Sequence, residues 1–287
     1  MIKCKDPLPD LNGQKLIIPF VKLGNLILVE ADVDGQTGYF ILDTGAPYLV
    51  LNATYFRDYP QTALYAALGV GNQTTEIFRT EVDSLHIRSL GYANVEADVA
   101  DLSHLENSRG MKILGLLGCN LFKQFVVGID FIASNLTIYT EDYFEKFDDP
   151  TSYNTIPFDL KNNTMAVQAE INGQPLTFVF DTGAEVNVLD NDLDDAVYEK
   201  FIIQNRSRLA GSVGEEIDVF SGLLLATSVG GLDFFQMQTI MTNLSGIGKV
   251  YGYAVDGILG YEFMKKAPIF INFPENKIYL SKLKYYE

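Results

Sequence analysis

Apolar residues in this chain come in short runs punctuated by Gly, Asp and Asn, a spacing that fits strands better than helices. Residues 26–33 and 39–42 read as two strands, and Asp34-Gly35 between them is a strong two-residue hairpin signal. The same arrangement recurs at 165–171 and 177–180 around Asn172-Gly173. Two further strand pairs are expected, 126–131 with 136–139 and 269–273 with 278–280, turning at Ser134-Asn135 and Glu275-Asn276-Lys277. Helix is expected in short pieces at 120–124 and 262–266. It is also expected in one amphipathic stretch, 190–206, where Leu193, Val197, Phe201 and Ile202 alternate with Asp192, Asp194, Asp195, Glu199 and Lys200.

The pattern is duplicated. Phe40-Ile41-Leu42-Asp43-Thr44-Gly45-Ala46 is answered by Phe178-Val179-Phe180-Asp181-Thr182-Gly183-Ala184, with the two Asp residues 138 positions apart. Ile18-Pro19-Phe20 and Ile156-Pro157-Phe158 share that offset, as do Gly35-Gln36 and Gly173-Gln174. Later, Gly115-Leu116-Leu117-Gly118 is matched by Gly257-Ile258-Leu259-Gly260 at an offset of 142, so the middle of the second unit is four residues longer. A duplicated β-rich unit is the physical reading. Charge and Pro within 140–155 mark an exposed linker, which sets two lobes at about 1–147 and 148–287, and the polar opening of the chain is expected to cap the first. Between acid and closing block, each lobe has a variable region, Leu68-Gly69-Val70-Gly71-Asn72-Gln73 and Leu209-Ala210-Gly211-Ser212-Val213-Gly214. The first lacks the third glycine of a dinucleotide fingerprint and reads as a hairpin tip.

Composition narrows the function. The 287 residues are 47% hydrophobic and 20% charged, enough for one large or two moderate cores and too apolar for disorder. A net charge of −16 argues against a nucleic-acid partner and against an anionic membrane surface. No apolar run reaches the ~18 residues of a membrane span, so no membrane insertion is expected. The first residues lack an apolar h-region, so no signal peptide is visible, and the compartment stays open between cytoplasm and export after signal removal. Cys4 and Cys119 exclude a disulfide framework and a thiolate zinc site, while a single bridge between them stays open. His86 and His104 have no ligand-like spacing, so Ser-His-Asp and Cys-His mechanisms are poorly supplied. Asp98, Asp101 and Asp256 read as solvated or turn positions, and the Tyr and Phe residues as strand and core.

The repeated acid carries the chemistry. An acid directly after an apolar strand is costly to bury unless it is hydrogen-bonded or shares a proton. Two such acids at one site cannot both ionise comfortably, so one proton is shared. A water between them meets one carboxylate as base while the other carboxyl protonates a substrate carbonyl, which is amide hydrolysis without metal or organic cofactor. Gly45 and Gly183 let the backbone approach the acids, Thr44 and Thr182 can lock the two loops together, and the Gly-apolar-apolar-Gly blocks can brace them from behind. A glycosidase would also use two carboxylates, but such sites draw on aromatic platforms, and this chain has no Trp.

On these motifs, which extend over about 18–280, the chain resembles the aspartic proteases. Ala rather than Ser after Asp-Thr-Gly resembles the retropepsin-like branch, here in a fused, single-chain form similar to bacterial retropepsin-like proteins. The resemblance implies an all-β fold of two β-barrel lobes about a pseudo-twofold axis, with the active site between them. It implies Asp43 and Asp181 as the catalytic pair of a monomeric endopeptidase acting on peptide or protein substrates, with Thr44 and Thr182 hydrogen-bonded beneath them. It further implies flaps at Gly69, Val70 and Gly71 and at Gly211, Ser212, Val213 and Gly214, closing over an extended peptide. Retropepsins often carry Asp after Asp-Thr-Gly-Ala to hold substrate backbone; Glu185 stands there in one lobe and Pro47 in the other, followed by Val186 and Tyr48, so the cleft is expected to be asymmetric. The alternative is a catalytically silent, protease-like peptide-binding module, against which the retention of both Asp and both Thr argues.

Overall fold

A computed structural model of the chain describes residues 11, 15–68, 74–147, 152–210 and 216–282. Its hairpins follow from their turn residues. Asp34 and Gly35, with φ of 49° and 83°, join the antiparallel strands Leu26–Val33 and Gln36–Asp43. Asn172 and Gly173, at 52° and 78°, join Thr164–Ile171 to Gln174–Phe180. Asp and Asn tolerate that left-handed backbone, Gly adopts it freely, and the resulting turn twists with the strands it connects. The second strand of each pair starts three residues earlier than its apolar run, because the residues beside the turn pair although they bury little.

Each half closes six strands into a barrel. In the first, Leu26–Val33, Gln36–Asp43, Ile113–Gly118, Leu49–Asn52, Leu90–Ala100 and Thr74–Ile87 pair in that order, and Asp32 opposite His86 completes the ring. In the second, Thr164–Ile171, Gln174–Phe180, Gly257–Leu259, Asn187–Asp190, Leu232–Thr242 and Glu216–Val229 do the same, closing at Glu170 opposite Ser228. The fold is all-β, with two homologous barrels.

Six more strand segments tie the halves together. Lys15–Pro19, Asn135–Tyr139, Val126–Asp130, Ile269–Asn272, Lys277–Ser281 and Tyr153–Lys161 form one antiparallel run, and the halves meet at its centre, where Val127 faces Ile271. This explains the repeated Ile-Pro-Phe. Ile18 and Ile156 are buried, and the N–H groups of Phe20 and Phe158 donate to Ser134 and Asn276 at 2.9 and 3.0 Å. The two rings meet Phe131 and Phe273 edge-on, each at 6.1 Å. One apolar core runs through both barrels and one face of this sheet. On another part of it, Phe144 from the helix Glu141–Phe147 packs against Tyr139, Phe270 and Tyr279.

Three readings change. The amphipathic helix at 190–206 does not form. Asn187–Asp190 and Phe201–Ala210 are strands, and only Asp195–Tyr198 is helical, capped by Asp194, whose side chain accepts from the Ala196 N–H at 2.9 Å. Pairing of Phe201, Ile202 and Ile203 with Leu224, Leu223 and Gly222 outweighs the local helical period. The linker segment 140–155 holds the helix Glu141–Phe147 and the start of the strand Tyr153–Lys161, while 148–151 lie outside the described residues. Asp98 is not solvated but buried in Leu90–Ala100, where it accepts from Arg79 Nε at 2.9 Å and Nη2 at 3.2 Å, the two-pronged pairing that makes such burial tolerable. Asp101 and Asp256 do sit outside regular structure and accept the Ser103 and Thr177 N–H groups. Cys119 is a free, buried thiol, and Cys4 lies outside the described residues.

Candidate active site

Asp43 ends the strand Gln36–Asp43 and Asp181 directly follows Gln174–Phe180, so each acid leaves its barrel at the same point. The closing blocks fix both exits. Gly118 lies beside Asp43 in a parallel pairing, and the Asp181 N–H donates to the Leu259 carbonyl at 3.0 Å. One residue past each block, the N–H of Cys119 donates to Ala46 at 2.8 Å and that of Tyr261 to Ala184 at 2.9 Å. The blocks therefore brace the acid-bearing loops from behind, as their repetition implies.

Beneath the acids the two loops hold each other. The Thr44 N–H donates to the Thr182 hydroxyl and the Thr182 N–H to the Thr44 hydroxyl, each at 3.0 Å. The hydroxyls donate in turn to the carbonyls of Phe180 and Leu42, at 3.0 and 2.9 Å. Both threonines are buried, so each hydroxyl donates one bond and accepts one where water does not compete.

This lock brings the two carboxyls within hydrogen-bonding reach of each other. Burial pushes Asp43 well above the ordinary carboxylate range, and the neighbouring Asp181 charge and the bond between the two carboxyls push it further. Burial raises Asp181 as well, opposed by the Gly183 N–H, which donates to it at 2.7 Å, by the bond with Asp43, and by the Gly45 N–H at 3.2 Å. Both carboxyls are raised and they face each other, so they titrate as a pair that shares one proton.

The remaining expected site residues are placed as follows. The hairpin arms Ala63–Leu68 with Thr74–Ile87, and Phe201–Ala210 with Glu216–Val229, are paired to their ends. Their tips, including Gly69, Val70, Gly71, Gly211, Ser212, Val213 and Gly214, lie outside the described residues. Glu185 is engaged by the first half: its carboxylate forms an ion pair with Arg109 and accepts the Asn25 N–H at 3.3 Å, while its carbonyl accepts from the Asn25 side chain at 2.9 Å. On the other side, the Tyr48 ring lies under the Arg79 guanidinium at 4.3 Å. Asp43 and Asp181 thus share symmetric surroundings below and asymmetric ones beside them.

Two residues that sequence reasoning missed belong here. Arg109 ends the helix Ser103–Arg109, Tyr251 ends Ser245–Tyr251, and each reaches into the opposite half, Tyr251 by donating its hydroxyl to the Gly45 carbonyl at 2.6 Å. A signal existed: Arg109-Gly110 and Tyr251-Gly252 obey the offset of 142, and both glycines cap their helices in the left-handed conformation. As for metals, Glu141, Glu145 and Glu275 gather among the described residues, but Glu275 is already bonded to Asn272, Lys277 and Tyr279. Among the described residues, no helix is long and apolar enough to cross a membrane.

Paired six-strand barrels presenting one acid each at a shared join define a bilobal protein of aspartic-protease architecture. The chain belongs to the aspartyl protease family, whose model matches residues 29–121 and 167–263, the same half-length unit twice. No curated protein sequence matches it. Among solved structures it is similar to an aspartic proteinase from Irpex lacteus (12% identity, TM-score 0.54, 93% of this chain and 97% of that one). It is also similar to basic 7S globulin from soybean (10% identity, TM-score 0.53, covering 94% and 95%). A third likeness is to conglutin gamma, a basic 7S globulin from lupine seeds (8% identity, TM-score 0.55, covering 95% and 96%). At these identities the likeness is one of fold.

Proposed function

We propose that this chain is an aspartic endopeptidase in which Asp43 and Asp181 are the catalytic pair. The observation that carries the proposal is the placement of the two carboxyls, each against the glycine of the opposite loop, above a fully reciprocal threonine lock. In the reaction, the charged carboxylate of Asp181 takes a proton from a water held between the acids. The water oxygen attacks the scissile carbonyl carbon as Asp43 gives its proton to the carbonyl oxygen. On collapse of the tetrahedral intermediate, Asp43 regains its proton from the diol and Asp181 passes its own to the leaving nitrogen, which restores the starting state. No step calls for a metal or an organic cofactor.

The substrate is a peptide or protein segment in extended conformation, bound across the join of the two lobes. The lobes divide at 147/148. One chain supplies both acids, so a monomer suffices.

The likeness to two proteins named as globulins supports a second reading, a silent peptide-binding module on the same fold. The two are separated by incubating the folded chain with a diverse peptide mixture at acid pH and reading products by mass spectrometry, alongside a thermal shift with a statine-type inhibitor. An endopeptidase yields new peptide termini and is stabilised by the inhibitor. Intact peptides with no inhibitor shift would refute the catalytic reading.

A further inference from the structure

Tyr251 belongs to the second half, yet its hydroxyl ends on the Gly45 carbonyl of the first, at 2.6 Å. That carbonyl is one side of the Gly45–Ala46 peptide. The other side, the Ala46 N–H, donates to Asp43 Oδ1 at 2.9 Å. A single amide therefore stands between a phenol and an acid of the pair, accepting through its oxygen and donating through its nitrogen. We infer that Tyr251 is a positioning residue for the acid pair, acting on Asp43 through the Gly45–Ala46 peptide.

The ring is held for such a role. It stacks on Tyr253 at 6.0 Å and 29°, and the backbone carbonyl of Tyr251 accepts from the Asn162 side chain at 2.7 Å. These anchors all lie in the second half, so the hydroxyl meets Gly45 from a fixed point outside the loop it supports. Accepting a short O–H bond draws electrons toward the amide oxygen and makes the N–H a stronger donor, by about 10–30% for bonds in series. The better donor steadies the Asp43 carboxylate and counters part of the burial and repulsion that favour its protonation. Burial, with the charges of Asp181 and Asp43, holds the Tyr251 hydroxyl well above its ordinary value, so it stays a donor throughout the working range.

Other groups nearby do not titrate in that range. Tyr253 is raised by burial and the Cys119 thiol is pushed up to about 12, both neutral in acid. Lys123 lies beside Cys119 and Lys161 over the Tyr253 ring. Among the described residues, the partner that titrates with Asp43 is Asp181. The effect is one-sided, because Arg109, at the matching helix end, pairs with Glu185.

This inference rests on the acid pair of the proposed function, but its test does not need turnover. The Asp43 carboxyl carbon is followed by NMR through a pH titration of the full chain, in wild type, Tyr251→Phe and Tyr253→Phe. Losing the Tyr251 hydroxyl should raise the Asp43 midpoint by a few tenths of a unit, and losing the Tyr253 hydroxyl should leave it in place. Replacing Tyr251 by a difluorotyrosine, a stronger donor of almost the same shape, should lower the midpoint, which covers the case in which Tyr251→Phe does not fold. If substrate is cleaved, kcat/KM limbs should move in the same directions. An Asp43 midpoint unmoved by both Tyr251 changes, or moved equally by Tyr253→Phe, would overturn the inference even in an active enzyme. A chain without peptidase activity but with the predicted shifts would leave the inference standing and remove only the catalytic reading.

Discussion

Gly45 lies so close to Asp181 that a Cβ at that position would sit 2.6 Å from the carboxyl carbon. Gly183 stands in the same relation to Asp43, also at 2.6 Å. Each acid is thus packed against the backbone of the opposite loop, with no room for a side chain. Gly45→Ala and Gly183→Ala should each displace the facing carboxyl and lower kcat about 100-fold, with melting temperature reduced far less than activity. Parallel cleavage assays and thermal melts check this, and a near-normal rate in either variant would contradict the packing described.

The threonine lock predicts unequal outcomes for similar substitutions. Thr44→Val keeps the shape but strands the Thr182 N–H and the Phe180 carbonyl, both inside, and should cost about 2–4 kcal/mol in urea unfolding. Thr44→Ser retains the hydroxyl and should cost about 1 kcal/mol. The two hydroxyls bond to backbone groups and not to each other, so Thr44→Val with Thr182→Val should cost about the sum of the two single losses.

The acid pair should weaken the fold at neutral pH. The folded pKa of both carboxyls lies above the ordinary 3.8, so the folded state holds protons that the unfolded chain has released. Their favourable contribution is complete below the unfolded pKa and disappears as pH rises through the folded one. Asp43→Asn should therefore gain stability relative to wild type between pH 4 and pH 7.5. The gain should be about 1.4 kcal/mol for each unit of displacement, read from denaturant melts at the two pH values. A difference that stays constant with pH would count against the shared proton.

Arg109 and Glu185 join the halves at a partly exposed ion pair, with side chains 32% and 29% accessible. Such a pair contributes about 0.5–1 kcal/mol and is weakened by salt. A double-mutant cycle with Arg109→Ala and Glu185→Gln should return a coupling of about that size in dilute buffer and less in 1 M salt, with cleavage retained.

Much of this architecture is legible in the chain because the duplication places each signal twice. Asp34-Gly35 and Asn172-Gly173 announce the hairpins through positive φ, and the acids and closing blocks keep their register. What escaped depends on distant partners. The segment 190–206 carries a helical period, but Phe201–Ala210 finds a neighbour in Glu216–Val229, whose pairing no local pattern encodes. Asp98 looks like a surface acid until strand alternation brings it to Arg79. Arg109 and Tyr251 differ in chemistry, so their equivalence emerges only when the helix-capping glycines behind them are aligned.

The central claim is that Asp43 and Asp181 share one proton and cleave peptide bonds as a pair. The most direct measurement is the pH dependence of kcat/KM on a cleaved peptide, for wild type, Asp43→Asn and Asp181→Asn. A bell centred in the acid to mildly acid range is expected for wild type, its limbs marking the first ionisation of the pair and the loss of the shared proton, with no cleavage by either variant. A profile flat from acid to alkaline, or cleavage surviving in one of the variants, would contradict the account.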